Sequence, residues 1–197
     1  MCIRDRTRAL DSKGLETKFL NGLRITDSKT IEVVDEVLNK RVNEEVASFI
    51  SSHDCKVKRI PGKTALLCEP IEKSTELGFV GRIKQVRTGL IQSALLEGSV
   101  PVLSSTAADE SGQCYNVNAD TAAAQVAMAL KARRLVYLSD VPGLLKDPND
   151  PASLISSLAL NRVDPLKKAG VIAKGMLPKV NSAVDALSSG VNRVHFI

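Results

Sequence analysis

From residue 100 onward short apolar runs alternate with helical stretches, and that rhythm narrows the available folds more than any other feature. Residues 100–103, 134–138 and 193–197 are apolar runs of strand length. Between them, 118–130 is Ala-rich and 178–189 reads as a helix stopped by Gly190. A Pro/Asp/Asn-rich connection over 147–151 leads to a further helix near 165–169. Strands alternating with helices of this length predict βαβ units, an α/β class and a mostly parallel open sheet.

The first half is less regular. Over residues 30–50, Ile31, Val34, Val37, Leu38, Val42, Val46, Phe49 and Ile50 recur at three- and four-residue steps, which predicts one long amphipathic helix with room for a break. Asp27 is placed to cap its orphan amides. Apolar stretches at 55–60 and 65–68 are divided by Pro61-Gly62-Lys63, and 77–86 reads as a strand or hairpin. A short helix over 89–96 ends at Gly98, and a polar loop is expected over 107–113. Residues 1–6 have no apolar core of a signal peptide and read as a leader outside the fold.

Composition excludes several classes. Aromatic residues make only 3% of the chain and Trp is absent, a core chemistry typical of layered α/β proteins. The net charge is +5, but the basic residues alternate with acidic ones and have no aromatic stacking platforms among them, so no nucleic-acid partner is expected. No run approaches the roughly 18 apolar residues of a membrane span. Cys2, Cys55, Cys68 and Cys114 form no CxxC pair and have no His at metal spacing, so no metal site is expected and reduced thiols point to a cytosolic-type compartment. His53 and His195 are isolated and receive no role.

Ligands of open parallel sheets bind beyond the carboxyl ends of strands. That rule selects 115–121, where Asn116, Asn118 and Asp120 precede a helix; the plain alternative is that Asn118 or Asp120 is only a cap. It also selects Ser139-Asp140-Val141-Pro142-Gly143-Leu144-Leu145, which by itself is an ordinary turn signal. The third place is Lys174-Gly175-Met176-Leu177-Pro178-Lys179, a loop suited to phosphate or simply a helix start with Pro178 in its first turn. Arg24, in Asn21-Gly22-Leu23-Arg24-Ile25-Thr26-Asp27, is either a carboxylate clamp or a solvated cation.

Taken in order, Phe19 through Asp27, Asn116-Val117-Asn118-Ala119-Asp120, Ser139 through Gly143 and Gly175 through Lys179 resemble the acetylglutamate kinase branch of the amino-acid kinase family. The likeness runs from about residue 10 to 197, and the Asn-Gly-Leu-Arg-x-Thr-Asp segment is its most specific piece. The resemblance implies a three-layer αβα sandwich, with 1–9 a non-native or disordered leader, 10–105 the rest of an acetylglutamate-binding lobe and 106–197 part of a nucleotide-binding lobe. It implies phosphorylation of the side-chain carboxylate of N-acetyl-L-glutamate by ATP with Mg2+, in arginine biosynthesis. Asp120 and Lys179 would be catalytic, and Arg24 and Asn116 would bind the acceptor. Asp140, Val141, Pro142, Gly143, Leu144, Leu145, Val171, Ile172 and Ala173 would line the nucleotide pocket. A homo-oligomer in the cytoplasm is implied, or in a plastid if a transit peptide precedes the chain.

The sequence also departs from the family pattern. The Lys-Gly-Gly stretch and second Gly-rich loop that grip phosphates in relatives are missing, so this chain alone is expected to be inactive. Pro61-Gly62-Lys63-Thr64-Ala65 replaces a Gly-Lys-Asp-Gly-like turn, and Lys174 stands where a Gly is usual. Two other readings stay open: a glutamate or aspartate kinase of the same family, and a non-catalytic nucleotide- or amino-acid-binding module.

Overall fold

The computed structural model describes residues 2–20, 23–71, 76–139, 143–147, 149–172 and 176–197. The chain divides into two compact units, Met1–Ala122 and Ala123–Ile197.

The first unit opens with α1 (Cys2–Asp11), which takes in most of residues 1–9, expected to form a leader. Leu10 is only 1% exposed and joins Ile31, Val34, Val37, Leu38 and Val42 in one core cluster, and its burial ties α1 to the following helix. A small hairpin, β1 (Phe19–Leu20) and β2 (Leu23–Arg24), comes next. The predicted long helix is present as α2 (Ser28–Glu36), a π-helical stretch (Val37–Val42) and α3 (Asn43–Ser51). Asp27 caps it as expected, accepting from the Thr30 amide at 2.7 Å. The π stretch is the break, and Arg59 stands against it, donating to the carbonyls of Asn39 at 3.3 Å and Lys40 at 3.0 Å. Wider i→i+5 turns leave carbonyls open to such outside donors.

Strand β3 (Val57–Ile60) leads into α4 (Gly62–Ala65), then β4 (Leu66–Pro70), β5 (Gly81–Val86), α5 (Gly89–Leu96), β6 (Val100–Leu103), β7 (Thr106–Ala108) and β8 (Cys114–Asn116). Strands β3 and β6 pair in parallel, and a four-stranded sheet runs β5-β4-β7-β8 with antiparallel outer pairs. Residues 107–113 are therefore a hairpin tip and its flanks, rather than a loop throughout. The signal was masked because Thr106-Ala107-Ala108 is too short and too small-chained to read as a strand. Residues 106–122, expected in the second lobe, belong to the first unit because β7 and β8 complete this sheet.

The second unit follows α6 (Ala119–Ala129), whose residues from Ala123 onward it contains, with β9 (Arg134–Tyr137), α7 (Val163–Lys168), α8 (Met176–Ser188) and β10 (Arg193–Phe196). Strands β9 and β10 pair in parallel, with Leu135, Tyr137, Ala183, Ala186 and Val191 packed at their helical side. The α/β class with open sheets is as the alternating pattern predicts. Helix α8 begins two residues before Pro178, placing that proline in the first turn, where its missing N–H breaks no helical bond.

Candidate active site

Arg24 is 6% exposed, at the end of β2, directly opposite Phe19 across the two-strand ladder. Its guanidinium carbon lies 5.0 Å from the Phe19 ring centre, a cation–π distance. Nη1 donates to the Thr17 hydroxyl at 2.7 Å and Nη2 to that of Thr7 at 3.2 Å. Burial lowers the pKa of this guanidinium from its ordinary value, while Asp11 acts in the opposite direction. Among the described residues its hydrogen-bond partners are two hydroxyls, the Phe19 ring lies beside it, and the Asp11 carboxylate acts on its charge without an ion pair. A buried cation held this way has hydrogen-bonding capacity suited to an anion.

Asn116 is 5% exposed at the end of β8, and its amide nitrogen reaches the Thr26 hydroxyl at 3.2 Å. The fold thus brings two predicted acceptor-binding residues, 92 positions apart by number, to either side of one threonine. Sequence reasoning gave no role to Thr26, Thr17 or Phe19. Thr26 was visible inside the Asn-Gly-Leu-Arg-x-Thr-Asp segment, but only the pairing of the hairpin with its neighbours reveals its part. Asn21 and Gly22 of that segment lie outside the described residues.

Asn118 settles the capping question at α6. Its side-chain oxygen accepts from the Thr121 amide at 3.0 Å and hydroxyl at 3.2 Å, and its carbonyl from the Ala122 amide. Asp120 sits half-buried in the first turn of the same helix, where the helix dipole favours a carboxylate, and the cap itself falls to its neighbour.

In the second unit, Lys179 lies in the first turn of α8 with its ammonium 5.8 Å from the Tyr137 ring centre. Tyr137 ends β9, so the strand and helix together bring Lys179 beside the carboxyl end of a parallel strand. Gly143 has φ +131°, open to glycine and strained for other residues. Leu145 forms a bridge with Leu154. Leu144 and Ile172 share a buried cluster with Val163 and Val180, so their side chains serve packing; Val171 beside them is half-buried. Asp140, Val141, Pro142, Ala173, Lys174 and Gly175 lie outside the described residues. Among those described, no three His, Cys, Asp or Glu side chains gather as a metal would require, and no helix is long and apolar enough to cross a membrane.

Residues 3–197 match the amino acid kinase family as a whole. The chain is 44% identical over 185 residues to an acetylglutamate kinase of Clostridioides difficile, covering 93% of this chain and 64% of that protein. To the acetylglutamate kinase of Heliobacterium modesticaldum it is 41% identical over 200 residues, covering 95% and 68%. It spans about two thirds of the length of these curated relatives. Its fold superposes on the crystal structure of smu.665 from Streptococcus mutans with a TM-score of 0.88 at 24% identity, covering 98% of this chain and 78% of that one. A family match across nearly every residue, with relatives above 40% identity, leaves one assignment: the chain belongs to the amino acid kinase family, on its acetylglutamate kinase branch.

Proposed function

We propose that the whole protein transfers the terminal phosphoryl group of ATP, taken up as its magnesium complex, to the side-chain carboxylate of N-acetyl-L-glutamate. The observation that carries this reading is the buried Arg24, hydrogen-bonded to two hydroxyls and set against a ring face, one threonine away from Asn116. Arg24 pairs with the acceptor's α-carboxylate through parallel N–H···O bonds, and Asn116 binds polar atoms beside it. The attacking carboxylate has no proton to lose, so the site needs alignment and charge neutralisation rather than a base. Lys179 neutralises charge on the moving phosphoryl group, and Asp120 orients cationic side chains by charge-assisted bonds. Residues 140–145 and 171–173 contribute to the nucleotide pocket, Leu144 and Ile172 through their backbone, since their side chains are committed to the core.

In this reading the first unit supplies acceptor recognition and the second supplies nucleotide recognition, in a cytoplasmic homo-oligomer. Reduced thiols at Cys55, Cys68 and Cys114 agree with that compartment.

The test is calorimetric titration of the 197-residue chain with N-acetyl-L-glutamate, free L-glutamate, L-aspartate and UMP, and separately with ATP and Mg2+. Saturable binding of the acetylated acceptor, lost in Arg24→Ala, is the expected result. Preference for unacetylated glutamate or aspartate moves the specificity to another branch of the family, and binding of none of the acceptors by folded protein overturns the reading.

A further inference from the structure

Thr26 is fully buried, at 0% exposure, and every polar atom it has is engaged. Its amide donates to the Leu77 carbonyl at 2.9 Å, and its own carbonyl accepts from the Phe79 amide at 2.7 Å. The hydroxyl donates to the Arg24 carbonyl at 2.9 Å and accepts from the Asn116 side-chain amide at 3.2 Å. The segment that clamps Thr26 also holds Asn116 from the other side, since the Asn116 backbone amide donates to Phe79 at 2.9 Å. Gly78 permits this closeness: its φ is +63°, and a Cβ there would lie 2.3 Å from the Thr26 carbonyl oxygen.

Chemically, one hydroxyl joins two groups that must be aimed at the same small anion. A threonine hydroxyl has one proton and two lone pairs, so it can donate to one neighbour while accepting from another. Here that capacity fixes the backbone of Arg24 and the rotamer of the Asn116 amide together. A valine would fill the same volume and remove both bonds, the one to the Arg24 carbonyl and the one from the Asn116 amide.

We propose that Thr26 is a positioning residue of the acceptor site, coupling Arg24 to Asn116, so that acceptor affinity depends on its hydroxyl. The inference rests on the reading of Arg24 and Asn116 as the acceptor-binding pair. It predicts that Thr26→Val weakens N-acetyl-L-glutamate binding on the order of tenfold, the loss expected when buried hydrogen-bonding groups go unmet. Thr26→Ser, which keeps the hydroxyl, stays within about twofold of wild type. The effects of Thr26→Val and Asn116→Ala are less than additive in the double variant, because each removes the same bond.

The measurement is calorimetric titration of N-acetyl-L-glutamate into the full 197-residue chain and these variants, with thermal melts run alongside. Should Thr26→Val fail to fold, Thr26→Cys takes its place, since a thiol of similar volume is a far weaker donor and acceptor. Wild-type affinity in folded Thr26→Val or Thr26→Cys overturns the inference, as does full additivity with Asn116→Ala. In both of those outcomes the wild-type chain still binds, so the reading of the site survives. If wild type itself shows no binding, that reading fails and this inference falls with it.

Discussion

The carboxylate of Asp35, near the end of α2, stands 2.7 Å from the ammonium of Lys63, which α4 presents 28 positions later. The same carboxylate accepts from the Asn39 amide at 2.5 Å and from the Cys114 thiol at 3.4 Å. Lys63 thus occupies the altered Pro-Gly-Lys segment as a cross-brace between α4 and α2 rather than as a free cation.

This pair has a defined pH signature. The hydrogen bond that the Lys63 ammonium donates to Asp35 raises the Lys63 pKa above its ordinary 10.5, against the effect of burial. A raised lysine stabilises the fold fully below 10.5, and the contribution disappears as pH rises through the folded-state value. Cys114 is pushed up to about 12 by burial, so it remains a thiol through the start of that window. Side-chain exposures of 38% and 29% allow screening, so Lys63→Met should cost about 0.5–1 kcal/mol at neutral pH. Urea denaturation of wild type and variant, repeated above pH 10.5, should show that gap closing. A gap that is constant with pH would show that the pair is electrostatically idle.

Gly62 tolerates no side chain. A Cβ there would sit 2.1 Å from the Ser104 carbonyl oxygen and 2.3 Å from that of Thr106, both backbone atoms that cannot swing aside. Its amide also donates to the Ser104 hydroxyl at 2.7 Å, within a buried network that includes Asn39 and Thr106. Gly62→Ala is expected to destabilise at or above the top of the roughly 1–3 kcal/mol range for overpacking. Chemical denaturation checks it, and a loss below about 0.5 kcal/mol would refute the close approach.

Asn39 is the hub of that network, bonded to Asp35, Ser104 and Thr106 at once. Asn39→Leu keeps the volume and removes three bonds, two of them to the buried Ser104 and Thr106, so a loss of about 1–3 kcal/mol is expected in equilibrium unfolding. Recovery of wild-type stability by Asn39→Leu would mean that the network contributes nothing net.

At the helix start, the Thr30 hydroxyl and amide hold the Asp27 carboxyl below its ordinary 3.8. Asp27→Ala should therefore cost about 1 kcal/mol at neutral pH, the usual worth of an N-cap. Because the folded value is depressed, the difference is fully present above 3.8 and shrinks as pH falls through the folded-state pKa. Melting curves of both proteins at pH 7 and near pH 3 would detect it.

On the proposed reading, Lys179 separates function from stability. Its cation–π approach to Tyr137 is worth about 0.5–1 kcal/mol, and thermal melts of Lys179→Met measure what its loss costs the fold. In the whole protein the same change should lower acetylglutamate-dependent ADP formation about 10²–10³-fold, the cost of one preorganised charge contact. Equal turnover by wild type and Lys179→Met would remove Lys179 from the phosphoryl path.

Periodicity alone determined the long helix after Asp27, the helices at 89–96 and 178–189, and the parallel-paired runs at 100–103, 134–138 and 193–197. These signals are local: a helix needs its apolar stripe and a strand its apolar run, whatever lies elsewhere in the chain. The family resemblance of the ordered motifs, rather than residue type alone, singled out Arg24, Asn116, Asp120 and Lys179 as candidates. What tertiary structure alone decided is which of these groups share a neighbour. Arg24 meets Asn116 through Thr26, Lys63 meets Asp35, and Gly62 presses on Ser104, over separations of 28 to 92 positions. Such meetings depend on strand pairing and chain crossings. The short strands β7 and β8 are specified by their partners in the sheet, since three residues apiece cannot form a strand on propensity alone.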